Sequence, residues 1–77
     1  MRKLSNVTLK DWRSFLNHEG CKNTRNKGGH EHYTRSNLPR PITIQSHIDP
    51  VPERIIKQGL SLLNKTKDDL FDFLEGK

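Results

Sequence analysis

The pair Gly28-Gly29 limits what this chain can become more than any other feature. Adjacent glycines signal a turn, because glycine adopts positive φ at little cost. On either side lie short polar runs, residues 21–27 and 30–35, and neither has helical spacing. Tyr33 and Thr34 favour a strand. Ser36-Asn37-Leu38-Pro39 reads as a second turn. Residues 41–45, Pro-Ile-Thr-Ile-Gln, then alternate, with Ile42 and Ile44 on the face expected to be buried. The connections are too short for parallel crossovers. The reading is therefore a three-stranded antiparallel meander, with residues 21–27 as a short edge-type strand.

Helical patterns flank the meander. Thr8 is placed to accept a free amide of a first turn, and Asp11 follows at the capping-box position. Leu9, Trp12, Phe15 and Leu16 then fall on one face, and Gly20 suits a helix end. This predicts a helix over residues 9–18 whose tryptophan belongs to the core. After the meander, Asp49-Pro50-Val51-Pro52 reads as a helix start capped by Asp49, because prolines are tolerated in a first turn. Ile55, Ile56, Leu60 and Leu63 form its apolar face. Gly59 inside that helix costs about 1 kcal/mol against alanine, which points to close packing there. Thr66 caps a last helix carrying Leu70, Phe71, Phe73 and Leu74. Residues 1–7 read as a loose arm. The fold class expected is α+β, with the helices on one face of the sheet.

The chain has 77 residues, which supports one domain over residues 1–77. A domain of this size hides only about 60% of its unfolded surface. With 30% apolar residues, the core is expected to be thin. Cys21 is the only cysteine, which excludes an intramolecular disulfide and a multi-thiol zinc site. A lone thiol suits a reducing compartment. The charged start Met1-Arg2-Lys3-Leu4-Ser5-Asn6 is not followed by the apolar stretch of a signal peptide. Nothing approaches the ~20 apolar residues of a spanning helix. The expectation is a soluble cytoplasmic protein with no membrane contact. Its net charge of +5 is uneven. Residues 1–44 hold nine Lys/Arg against three Asp/Glu, a net +6, and residues 45–77 hold five against six, a net −1. A positive field on one half attracts phosphate backbones, although a solvated basic surface has the same composition.

The histidines carry the sharper chemistry. His30 and His32 share one face of a strand, but a metal site would need a third ligand, His47 or Glu31, and Glu31 points to the other face. Acid–base work needs less. An imidazole titrates near physiological pH, with an ordinary pKa of about 6.5. RNA carries its own nucleophile, the 2′-hydroxyl, so cleavage requires only proton transfer and a cation for the phosphate. His30 would be the acid or base, and His47 is the candidate for a second titrating group. Lys22, Arg25, Lys27 and Arg35 are candidate phosphate contacts, and Gly28 and Gly29 allow close backbone approach. No metal or other cofactor is expected. His18, at a helix end, reads as a surface residue that complements the helix dipole.

The run Lys27-Gly28-Gly29-His30-Glu31-His32-Tyr33 resembles the Lys-Gly-Ser-His motif of the HicA toxins, which leads into an aromatic strand. Gln45-Ser46-His47 is similar to that family's Pro-X-His at the end of the third strand. The order of the surrounding elements matches over about residues 8–74. The resemblance implies a double-stranded-RNA-binding-like α-β-β-β-α fold and a ribosome-independent mRNA endoribonuclease, with the motif histidine, here His30, as its catalytic residue. It also implies a HicB-like antitoxin that covers the site and, as a complex, represses its own operon. Three positions depart from the pattern. Gly29 stands where the family usually has serine, Gln45 where it has proline, and His32 where an aliphatic residue is more common. The same residues suit two other readings. One is a non-catalytic RNA- or DNA-binding module, with Lys22, Arg25, Lys27 and Arg35 on phosphates and His30 as a hydrogen-bond donor. The other is an interaction domain whose basic face meets an acidic protein.

Overall fold

Thr8 sets the first helix in the computed structural model, which describes residues 3–76. Its hydroxyl accepts the Asp11 amide at 3.1 Å, satisfying one free donor of the opening turn. Helix α1 runs Leu9–His18 and buries Leu9, Trp12, Phe15 and Leu16 on one face, as their spacing requires. Gly20, at φ +83°, turns the chain out of the helix, and the Cys21 amide closes the end by donating to the Leu16 carbonyl at 3.0 Å.

Strand β1 (Lys22–Lys27), β2 (His30–Thr34) and β3 (Ile42–Gln45) form one antiparallel sheet in the order β1-β2-β3. Gly28 and Gly29 both have positive φ, +58° and +82°, as a two-residue type I′ hairpin turn requires. Residues directly opposite one another share a face. Glu31 pairs with Ile44 and Tyr33 with Ile42, so these four side chains face the helices. His30 pairs with Lys27 and Gln45, and His32 with Arg25 and Thr43, so these face away from them. An irregularity between Asn23 and Arg25 leaves Thr24 without a register partner. All six residues of β1 are exposed, so backbone bonds to β2 hold this strand rather than burial.

Helix α2 (Glu53–Leu63) and helix α3 (Lys67–Leu74) complete an α+β domain in which the helices cover one face of the sheet. Ile56, Gly59, Leu60 and Leu63 of α2 are buried. Gly59 meets Trp12 so closely that a Cβ there would lie 2.5 Å from the indole Cζ2. Asn64 ends α2 in the left-handed conformation, at φ 59°. Thr66 and Asp69 form a reciprocal capping box at the start of α3, which holds the Asp69 carboxyl below its usual range. Leu70 is buried, and Phe73 packs edge-on to Phe15 and flat against the exposed His18, with ring centroids 5.6 and 4.6 Å apart. Among the described residues no helix is long and apolar enough to cross a membrane.

Two expectations are corrected. Asp49 does not cap α2, whose N-cap is Pro52 with no side-chain bond. Its Oδ1 accepts the Leu9 amide at 3.1 Å, so it serves the start of α1 across 40 residues. Residues 3–7 are not a loose arm either. Leu4–Asn6 form a short 3-10 turn, Val7 is buried, and the Val51 amide donates to the Val7 carbonyl at 2.9 Å. An apolar residue beside Val51 gains more from the core than from water. Residues 1 and 2 of that arm lie outside the described residues.

Candidate functional site

The glycine turn and the segment after β3 meet at one corner of the sheet. Gly29 is the meeting point. Its carbonyl accepts the Ser46 amide at 2.8 Å and the Ser46 hydroxyl at 3.0 Å. The following residue, His47, lays its ring over Gly29, so that a Cβ at this position would lie 3.2 Å from Nδ1. His30 begins β2 directly after this contact, opposite Lys27 on one side and Gln45 on the other. The corner therefore places the His47 ring against Gly29, the residue that precedes His30, with Lys27 opposite His30 across the turn. The segment bearing His47 is anchored at both ends, by Ser46 to Gly29 and by Asp49 and Val51 to the start of α1.

Ser46 Oγ lies 3.8 Å from where a Cβ on Gly29 would sit. A side chain at 29 would also press on the His47 ring, and the positive φ would strain any L-residue. Glycine at 29 and histidine at 47 thus fit each other.

The helix-free face continues from this corner. Arg25 lies opposite His32, and Lys22 opposite Thr34, so β1 presents Lys27, Arg25 and Lys22 along the face. All three are exposed. His32 is half-buried, and its Nδ1 lies 3.1 Å from the Thr43 hydroxyl. Arg35 does not join them. Its Nη1 donates to the Glu19 carbonyl at 2.6 Å, and its Nε donates to Asn37 Oδ1 at 2.8 Å. The guanidinium ties the end of α1 to the turn after β2, at the opposite end of β2 from His30, so the phosphate role expected for it does not fit its place. Its charge was visible in the sequence, but the carbonyl it serves was not.

The other face of β2 is structural. Arg13 donates through Nε and Nη2 to the two carboxylate oxygens of Glu31, and the Tyr33 hydroxyl donates to Glu31 Oε1 at 3.2 Å. The Arg13 bonds hold the Glu31 carboxyl below its usual range, and burial pushes the Tyr33 phenol up. Within one motif, alternate residues thus anchor the strand to α1 while His30 and His32 stand on the open side. Among the described residues no three His, Cys, Asp or Glu side chains are grouped as a metal site requires. No protein-family model, curated protein or solved structure matches the chain.

Proposed function

We propose that this chain is a HicA-like toxin, a metal-independent endoribonuclease that cleaves mRNA in the cytoplasm. One observation carries the reading: His47 lies over Gly29, the residue that precedes His30, and Lys27 is paired with His30 across the same turn. One imidazole takes the proton of a 2′-hydroxyl as O2′ attacks the adjacent phosphorus. The P–O5′ bond breaks, and the other imidazole, protonated, gives its proton to O5′. The products are a 2′,3′-cyclic phosphate and a 5′-hydroxyl end. Lys27 balances charge on the phosphate, and the bare Gly28-Gly29 backbone lets the strand approach. Arg25 and Lys22 extend the phosphate track along β1. A HicB-like antitoxin, as the resemblance implies, would cover this corner.

The test is induced expression of wild type and His30→Ala in a bacterial host lacking the antitoxin, followed by cleavage assays on purified protein. Wild type should arrest growth and deplete mRNA, and activity should survive EDTA. His30→Ala should cut the cleavage rate by about 10²–10⁴-fold with native circular dichroism. A folded His30→Ala protein that cleaves normally would refute the assignment. Salt-dependent RNA binding without cleavage by wild type would favour the binding-module reading.

A further inference from the structure

A groove of about 740 Å³ runs from the open face of the sheet around the edge strand β3 to α2, and Gln45, the residue paired with His30, lines it. Its volume lies within the range of small-molecule sites, about 300–1,000 Å³. Arg25, Arg40 and Arg54 reach it from β1, from the segment before β3 and from α2. None of the three is in an ion pair among the described residues, and no carboxylate lines the groove. Ile55 gives it an apolar side. His32 lines it as well, oriented by the Thr43 contact at Nδ1, which leaves the Nε2 edge of the ring for a ligand. Three cations outside any ion pair among the described residues, an aromatic ring and an apolar wall match a nucleotide with an unstacked base. A duplex would offer the groove only its backbone.

We infer that this groove is a nucleobase subsite in which His32, Thr43 and Arg54 hold an unpaired base next to the phosphate at His30. The inference rests on the ribonuclease reading and narrows it. The substrate class is single-stranded RNA, and His32 is a positioning and specificity residue rather than a proton carrier. His30 and His32 alternate along β2, about 7 Å apart, so a base held at His32 belongs to a nucleotide flanking the scissile one.

The test is binding of the full chain, silenced by His30→Ala, to a labelled RNA of about eight nucleotides. The RNA is used single-stranded, as a duplex, and as an abasic strand of equal length. The single strand should bind about tenfold more tightly than the abasic strand. Adding His32→Ala or Arg54→Gln should each weaken the single strand several-fold. His32→Ala should leave abasic binding unchanged. Amide shifts of Thr43, Ile55 and Gly59 should follow the single strand. Equal binding of normal and abasic strands would overturn the subsite, even if wild type cleaves RNA. Base-dependent binding lost in His32→Ala, with no cleavage by wild type, would support the subsite and refute the nuclease reading. Groove shifts induced by an acidic strand-forming peptide, but not by RNA, would overturn it in favour of a protein partner.

Discussion

Replacing Gly59 with alanine should destabilise the protein, although alanine is the better helix former. In α2 the substitution gains about 1 kcal/mol of helix propensity. Against this stands the contact with α1. The new Cβ would lie 2.5 Å from Trp12 Cζ2, 3.0 Å from Cη2 and 3.6 Å from Ile42 Cγ2. Carbon atoms at rest sit about 3.5–4.0 Å apart, so about 1 Å must be recovered. Trp12 has no slack to supply it. It is fully buried and packs on Phe15 with ring centroids 5.8 Å apart. Overpacking of this kind costs about 1–3 kcal/mol, and an overlap with a rigid ring belongs near the top of that range. The net expectation is a loss of about 2 kcal/mol, or a Tm lower by about 8–16 °C for a domain of this size.

The assay is thermal and urea unfolding followed by circular dichroism, run as a cycle with Trp12→Phe. Phenylalanine has no atoms where Cζ2 and Cη2 lie. It also removes the Trp12 Nε1 donor, which is buried with no partner among the described residues and so costs stability in the wild type. In that background Gly59→Ala should lose most of its penalty, a coupling of about 1.5 kcal/mol or more. A raised Tm for Gly59→Ala alone would refute the packing argument. So would effects of the two changes that add within about 0.5 kcal/mol.

Two further outcomes test the frame around the site. Asp49→Ala should cost about 1 kcal/mol by freeing the Leu9 amide, and hydrogen exchange should rise at the start of α1 rather than at α2; faster exchange confined to α2 would restore the local cap. Arg13→Met should cost about 1–2 kcal/mol at neutral pH, a modest figure because the Arg13 side chain is 37% exposed. Its pH dependence has a definite sign. Glu31 is depressed in the folded state, so the pair stabilises fully above the ordinary carboxylate range, about pH 4.3, and less as pH falls through the folded value. Urea midpoints of wild type and Arg13→Met should therefore converge on acidification, and a gap that stays constant to pH of about 2 would disprove the ion pair's role.

What was legible in the sequence was local. Thr8 with Leu9, Trp12, Phe15 and Leu16 states a capped helix within one short segment, and Thr66 with Asp69 does the same for α3. Gly28-Gly29 revealed β1, which has no buried residue and so no pattern of its own. The misreadings all involve partners far away in the chain. Asp49 before prolines has the form of a local cap, yet its acceptor serves an amide 40 residues upstream. Val7 has no periodic neighbours and is buried only because Val51 comes to it. Arg35 shares its charge with Lys22, Arg25 and Lys27, whereas the Glu19 carbonyl decides its place. The groove was invisible for the same reason, because Arg25, Arg40 and Arg54 come together only when β3 lies beside α2.

The distribution of polar residues between the two faces of β2 bears on how such a small chain can maintain a site. Glu31 accepts from Arg13 and from the Tyr33 hydroxyl and so fixes the strand to α1, and the positions of His30 and His32 follow from contacts neither histidine makes with the core. Position 47 is held similarly, through Ser46, Asp49 and Val51 rather than through its own ring. Backbone and neighbours thus bear the cost of placement. Lys22, Arg25, Lys27, His30 and Thr43 can be exchanged on the open face without emptying the core. By the same logic Gly29 is the exception among the site positions. A side chain there would press on His47 and strain the turn together, so local geometry and proposed chemistry constrain one residue at once.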